Sequence, residues 1–226
     1  MGKIVIIGDS FCQHNQDGTW TRILATMLNL KLESRGIPAG SFWETREFLQ
    51  IAVNADTEYI VVAHTDYTRI PAVNWNLSFG DLSKTEISEL GNLVNNAREQ
   101  YYRYIYVPTY HIWAQQQWFK EFSTVYSNFK LINLHCFPTS WSYRHLLKGM
   151  NIGPVLAALS LNEIGATDQK ILGNDNARIN HFNPANNQTL AEQLYTLLIN
   201  YKEGDAQLDA SAFEQKTTRW IDNWDL

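Results

Sequence analysis

The chain opens on an unbroken apolar run, Ile4-Val5-Ile6-Ile7, that stops abruptly at Gly8-Asp9-Ser10. A short β-branched run closed by a turn signal predicts a buried strand, with the Ser10 hydroxyl presented at its carboxyl end. Trp20, Ile23, Leu24, Met27 and Leu28 then recur at i, i+3, i+4, i+7 and i+8, which is one face of a helix. A short strand around Leu30 to Leu32 follows, then the loop Gly36-Ile37-Pro38-Ala39-Gly40 and a helix over Phe42 to Val53. Tyr59 to Ala63 is a third apolar run and predicts a central strand. Ile87, Leu90, Val94 and Ala97 mark another helix. Tyr104 to Val107 and Leu131 to Leu134 predict two further strands, separated by a Trp- and Phe-rich helical stretch around Trp113 to Tyr126. Leu190, Ala191, Leu194, Leu197 and Leu198 make the last amphipathic helix.

Alternating strands and helices imply an α/β fold with a mostly parallel sheet covered on both faces. In the strand order 2-1-3-4-5, strands 1 and 3 flank the switch point, and Ser10 faces Asp66 across it. No repeat or low-complexity linker interrupts the pattern, so residues 1–226 read as one domain. The segment Thr139 to Gly165 breaks the rhythm and reads as an insertion near the strand ends. The tail after Lys202 is polar, but Phe213, Trp220, Ile221 and Trp224 predict that it docks back as a helix.

Composition removes several function classes. A formal net charge of -5 without a basic stripe argues against a nucleic-acid binder that works by bulk electrostatics. Cys12 and Cys136 are the only cysteines and stand far apart. They suggest neither a disulfide framework nor a zinc knuckle and point to a reducing compartment. No signal-peptide pattern precedes the first strand and no apolar run is long enough for a membrane span. The expectation is a soluble protein, cytoplasmic at synthesis, with no membrane partner.

Polar groups gather just beyond the apolar runs: Asp9, Ser10 and Cys12 after the first, His64, Thr65 and Asp66 after the third. Tyr110, His111, His135 and Cys136 follow the later ones. In a parallel sheet these ends share one edge, where a cleft is expected. Late in the chain, Asn180-His181-Phe182-Asn183-Pro184 precedes the last helix, with Asn183 a candidate N-cap and Pro184 suited to the first helical position. A histidine held there can serve as general base for Ser10. His64 is the reserve base.

Gly8-Asp9-Ser10 near the N-terminus, Gly40 about thirty residues later and His181 in its Asn-His-Phe-Asn-Pro setting together resemble the SGNH/GDSL hydrolases. The resemblance implies a three-layer α/β/α sandwich, flavodoxin-like, with a five-stranded parallel sheet. It also implies hydrolysis of small esters, often acetyl groups on carbohydrates, without a cofactor. Carried over, Ser10 is the nucleophile and His181 the base, and the backbone amides of Ser10 and Gly40 hold the oxyanion. The family's third block is usually Gly-x-Asn-Asp, whereas this chain reads Ala63-His64-Thr65-Asp66, which puts Thr65 in the place of the oxyanion asparagine. Arg178 stands where the last block normally has an aspartate, and Asp175 is the nearby acidic candidate to orient His181. Asp9, His64, Asp66, His111 and His135 are candidates to line the site.

Two other functions fit the same residues. A metal-dependent phosphoesterase would use Asp9, His64, His111, His135 and His181, although no compact ligand motif accompanies them. A binding protein on the same fold would use some of the eight tryptophans and eleven tyrosines to stack on sugars. The expected ligand is a small-molecule or glycan ester.

Overall fold

The computed structural model describes residues 2–12, 17–37, 40–67, 69, 96, 97, 99–101, 103–162 and 182–214. Six parallel strands form one sheet: β1 (Lys3–Gly8), β2 (Lys31–Gly36), β3 (Thr57–His64), β4 (Lys130–His135), β5 (Met150–Gly153) and β6 (Gly204–Gln207). Their order is β2-β1-β3-β4-β5-β6, and every neighbouring pair is parallel. The helices are α1 (Trp20–Met27), α2 (Phe42–Ala52), α3 (Pro108–Val125), α4 (Pro138–Trp141), α5 (Leu156–Asn162) and α6 (Pro184–Ile199).

Strand alternation divides the core between the two faces of the sheet. Ile4, Ile6, Val61, Ala63, Ile132 and Leu134 turn to one side, where Trp20 and Leu24 of α1 and Leu190, Leu194 and Leu198 of α6 cover them. Val5, Ile7, Ile60, Val62 and Leu131 turn to the other, against Phe42 and Leu49 of α2 and Trp118, Phe119 and Phe122 of α3. The continuous apolar runs in β1 and β3 follow from this double coverage. Lys31-Leu32-Glu33-Ser34-Arg35-Gly36 in β2 is polar because β2 is an edge, half-exposed along its length. The α/β/α layering and the 2-1-3 start of the sheet therefore agree with the sequence reading, whereas the sheet has six strands where five are expected, because edge strand β6 adds to it.

Three further expectations are corrected. Tyr104 to Val107 is not a strand: Arg103 and Tyr104 are helical, Ile105 turns, and Pro108 begins α3. Tyr104 and Ile105 are 71% and 66% exposed, so this apolar run is not a core element. Proline at the first turn of α3 is pre-set for helix and cannot donate to a sheet ladder. Met150–Gly153, inside the supposed insertion 139–165, is strand β5 at full burial. Only four residues long and carrying Asn151, it shows no periodic signal. Third, the described part of the tail after Lys202, residues 203–214, returns as edge strand β6 and a 3-10 turn at Ala210–Ala212 rather than as a helix. Phe213 is nonetheless buried in the core as expected, whereas Trp220, Ile221 and Trp224 lie outside the described residues. The helix expected over Ile87, Leu90 and Val94 also lies outside them, although Asn96 and Ala97 are helical.

Candidate active site

The chain runs out along β2 from β1 and returns past it to β3, so the switch point falls between β1 and β3. Their ends are in register there, Gly8 opposite Ala63. Ser10 begins a 3-10 turn, Ser10–Cys12, directly after β1 and is half-buried. The turn is closed by Cys12 N–H donating to the Asp9 carbonyl at 3.0 Å and by Phe11 N–H donating to Asp9 Oδ1 at 3.0 Å.

Asp9 itself is buried. Its carboxylate also takes the Cys136 thiol at 3.3 Å, joining the end of β1 to the end of β4, and Arg69 Nη1 at 3.3 Å. Burial pushes its carboxyl pKa up, against the Phe11 amide, the Arg69 charge and the Cys136 thiol. Asp66, by contrast, is half-buried and accepts the Thr139 hydroxyl at 2.9 Å.

Phe11 leads from Ser10 toward the last helix. Its ring lies 5.6 Å from that of Phe182, and the Trp20 indole N–H donates to its carbonyl at 2.7 Å. Asn187 of α6 accepts the Trp20 backbone N–H at 2.9 Å and donates to the Phe182 carbonyl at 3.1 Å. Phe11, Trp20, Asn187 and Phe182 are thus one buried clamp between the Ser10 turn and the entrance to α6. Asn183 caps that helix through Asn186 N–H at 2.7 Å, with Pro184 in the first turn, as the sequence predicts. His181 and Asp175 lie outside the described residues.

Thr65 follows β3 and is buried. Its carbonyl accepts the Gln115 side-chain amide of α3 at 2.8 Å, while its hydroxyl has no hydrogen-bond partner. Gly40 sits in the loop after β2, which is tied to β1 by Ile37 N–H donating to the Gly8 carbonyl at 3.1 Å. The Gly40 amide is engaged inside this loop, donating to the Ile37 carbonyl at 2.8 Å.

Among the described residues, the candidate histidines His64, His111 and His135 are not gathered beside Ser10. His64 and His135 are opposite each other in register on the face covered by α3, whereas Phe11, Cys12 and Cys136 belong to the core of the opposite face. His64 donates from Nε2 to Asn133 Oδ1 at 3.0 Å, because the Asn133 amide nitrogen is committed to the Lys148 carbonyl. Its ring packs 4.7 Å from Phe119, and burial lowers its pKa to about 4. His135 meets Ser140 through Nδ1 at 3.3 Å, its Nε2 has no partner, and burial, with His64 and Arg144 nearby, lowers its pKa well below the usual value. Both are neutral core groups. His111 lies on α3, bonded to the Tyr101 hydroxyl at 2.8 Å and stacked 4.5 Å from Tyr106. Among the described residues, no three His, Cys, Asp or Glu side chains are arranged to hold a metal ion. Nor, among them, is any helix long and apolar enough to cross a membrane.

Sequence reading missed Arg69, Gln115, Thr139 and the Trp20–Asn187 pair. Asn187 falls on the buried stripe of α6 at i−3 from Leu190, so its polarity at a core position was the available signal.

No protein-family model and no curated protein matches the chain. Among solved structures, it is similar to a protein from Parabacteroides merdae ATCC 43184 described as a GDSL-like lipase. The two share 12% identity with a TM-score of 0.44, over 84% of this chain and 92% of that one.

Proposed function

We propose that the protein is a serine hydrolase of the GDSL type that cleaves a small ester, with Ser10 as nucleophile and His181 as general base. The observation that carries this reading is the Phe11–Phe182 contact, which joins the residue after Ser10 to the residue after His181. The exit of β1 at the switch point supports it, since open parallel sheets bind ligands there. The unpartnered, buried Thr65 hydroxyl at the neighbouring strand end supports it too.

Ser10 Oγ attacks the ester carbonyl as His181 takes its proton, and the alcohol leaves with that proton. Water then attacks the acyl-serine through the same base and releases the acid. The oxyanion is held by the Ser10 amide and the Thr65 hydroxyl. The Gly40 amide joins them once its bond to the Ile37 carbonyl opens. Asp175 is the carboxylate proposed to orient His181, and no cofactor is required.

A fluorophosphonate probe tests the reading directly. The folded protein should be labelled covalently and should hydrolyse p-nitrophenyl acetate in the presence of EDTA, and Ser10→Ala should lose both at an unchanged melting temperature. A folded protein that is neither labelled nor active would support a binding function instead.

A further inference from the structure

Arg69 is a cation at the carboxyl edge that the reaction above does not use. Its side chain keeps 24% of its exposure, while that of its partner Asp9 is fully buried. The guanidinium lies 4.7 Å over the Phe137 ring, just past β4, and its Nη1 reaches Asp9 Oδ2 at 3.3 Å. The Arg69 backbone N–H is fixed to the Asp66 carbonyl at 3.2 Å, and Asp66 is in turn held by Thr139. Arg69 therefore bridges the ends of β1, β3 and β4.

Resting on the reading of Ser10 as nucleophile, we propose that Arg69 is a positioning residue whose pairing with Asp9 sets the turn that presents the serine. Ser10 stands between the two residues that the Asp9 carboxylate joins, Asp9 itself and Phe11. The same carboxylate accepts from Cys136, so it fixes the turn in two directions. A charged acceptor holds the Phe11 amide more firmly than a neutral acid does. The Phe11 amide itself favours the charged form most, and the cation beside it adds to that.

The groups facing Asp9 are Arg69 from the loop after β3, Cys136 past β4 and Cys12 in its own turn. Burial pushes both thiols well above their ordinary range, so both are neutral at neutral pH. Among the described residues Arg69 is then the counter-charge to Asp9. This also argues against Arg69 as a receptor for an anionic substrate, because its charge is already matched.

Without Arg69, the buried carboxylate binds a proton at higher pH and the brace on Phe11 slackens. The acid limb of Ser10 reactivity should then move to higher pH. A merely structural arginine would lower stability without moving that limb.

The test uses Arg69→Met, Arg69→Lys, Asp9→Asn and the double variant Asp9→Asn/Arg69→Met. Two quantities are followed across pH: the rate of fluorophosphonate labelling, and hydrogen exchange at the Phe11 amide. Arg69→Met should slow labelling about tenfold near pH 6, recover part of it toward pH 9, and speed Phe11 exchange about tenfold. Arg69→Lys should restore most of both. In the Asp9→Asn background, Arg69→Met should add little, because the two act as one unit. Unchanged exchange and labelling in Arg69→Met, or an equal loss with and without Asp9, would overturn the proposal. A wild type that folds but is not labelled removes the serine mechanism alone, and Phe11 exchange still decides whether Arg69 sets the turn.

Discussion

Phe11 and Phe182 meet with their ring centroids 5.6 Å apart, although 171 positions separate them in the chain. The contact is closed from behind by Trp20 and Asn187, which bond to the carbonyls of Phe11 and Phe182 respectively. Two loops from distant parts of the chain are thereby held in one geometry.

Asn187→Ala should break this clamp. It leaves the Trp20 backbone N–H and the Phe182 carbonyl without their partner in a buried setting. Each such group costs about 1–3 kcal/mol. Unfolding in urea should show a loss of about 2–6 kcal/mol for the two groups together, and probe labelling of Ser10 should fall while the residual protein remains folded. A stable variant labelled at the wild-type rate would show that the clamp does not serve the site.

Thr65→Val separates chemistry from folding. The hydroxyl is buried and without a hydrogen-bond partner, so replacing it by a methyl group of like size should leave stability unchanged or slightly higher. Turnover of p-nitrophenyl acetate should nevertheless fall by roughly 10²–10³ in kcat, with KM little changed, as expected on losing an oxyanion donor. Thr65→Ser should retain most activity. A valine variant with full activity would remove Thr65 from the oxyanion site.

The folded protein should lose stability in mild acid. His64 is held neutral, with its pKa lowered from 6.5 to about 4, so the unfolded imidazole takes a proton first. Stability is complete above pH 6.5, declines as pH falls from there toward 4, and levels off below. A shift of that size corresponds to about 3 kcal/mol. His135 acts in the same direction. Urea midpoints measured from pH 8 to pH 4.5 should fall steadily below pH 6.5, and a flat profile would contradict neutral core histidines.

These two histidines show where sequence reading reached and where it stopped. Ile4-Val5-Ile6-Ile7 and Tyr59 to Ala63 were legible because interior parallel strands are apolar on both faces. The Asn183 cap was legible because capping is a local matter of side-chain chemistry. Which face a strand-end residue takes is also local, yet what waits there is not. His64 turns toward Phe119, 55 positions away, and nothing near it in sequence announces this, while His135 meets Trp141 only because the short helix α4 folds back over the strand end. Arg69 is illegible for the same reason, since its partners Asp9 and Phe137 lie 60 and 68 positions away. Edge strand β6 escaped because Gly204-Asp205-Ala206-Gln207 has almost no apolar content to bury.

Gly8→Ala should damage the site by moving the strand ends apart. A Cβ at Gly8 would come within 2.7 Å of the Ala63 Cβ and 2.8 Å of both the Ala63 carbonyl oxygen and the Cys12 sulfur. Two of these atoms belong to or adjoin the backbone of β3 and cannot swing aside. β1 and β3 must then separate where Ser10 and Thr65 stand, at a cost of about 1–3 kcal/mol typical of overpacking. Labelling of Ser10 should fall further than stability does, because sub-ångström displacement matters more to the reacting geometry than to the core. Trimming the opposing side chain in Gly8→Ala/Ala63→Gly relieves one of the three clashes and should recover part of the stability. Paired unfolding and labelling measurements check both variants. A single variant as stable and as reactive as the wild type would mean that the close approach at Gly8 does not set the distance between the two strand ends.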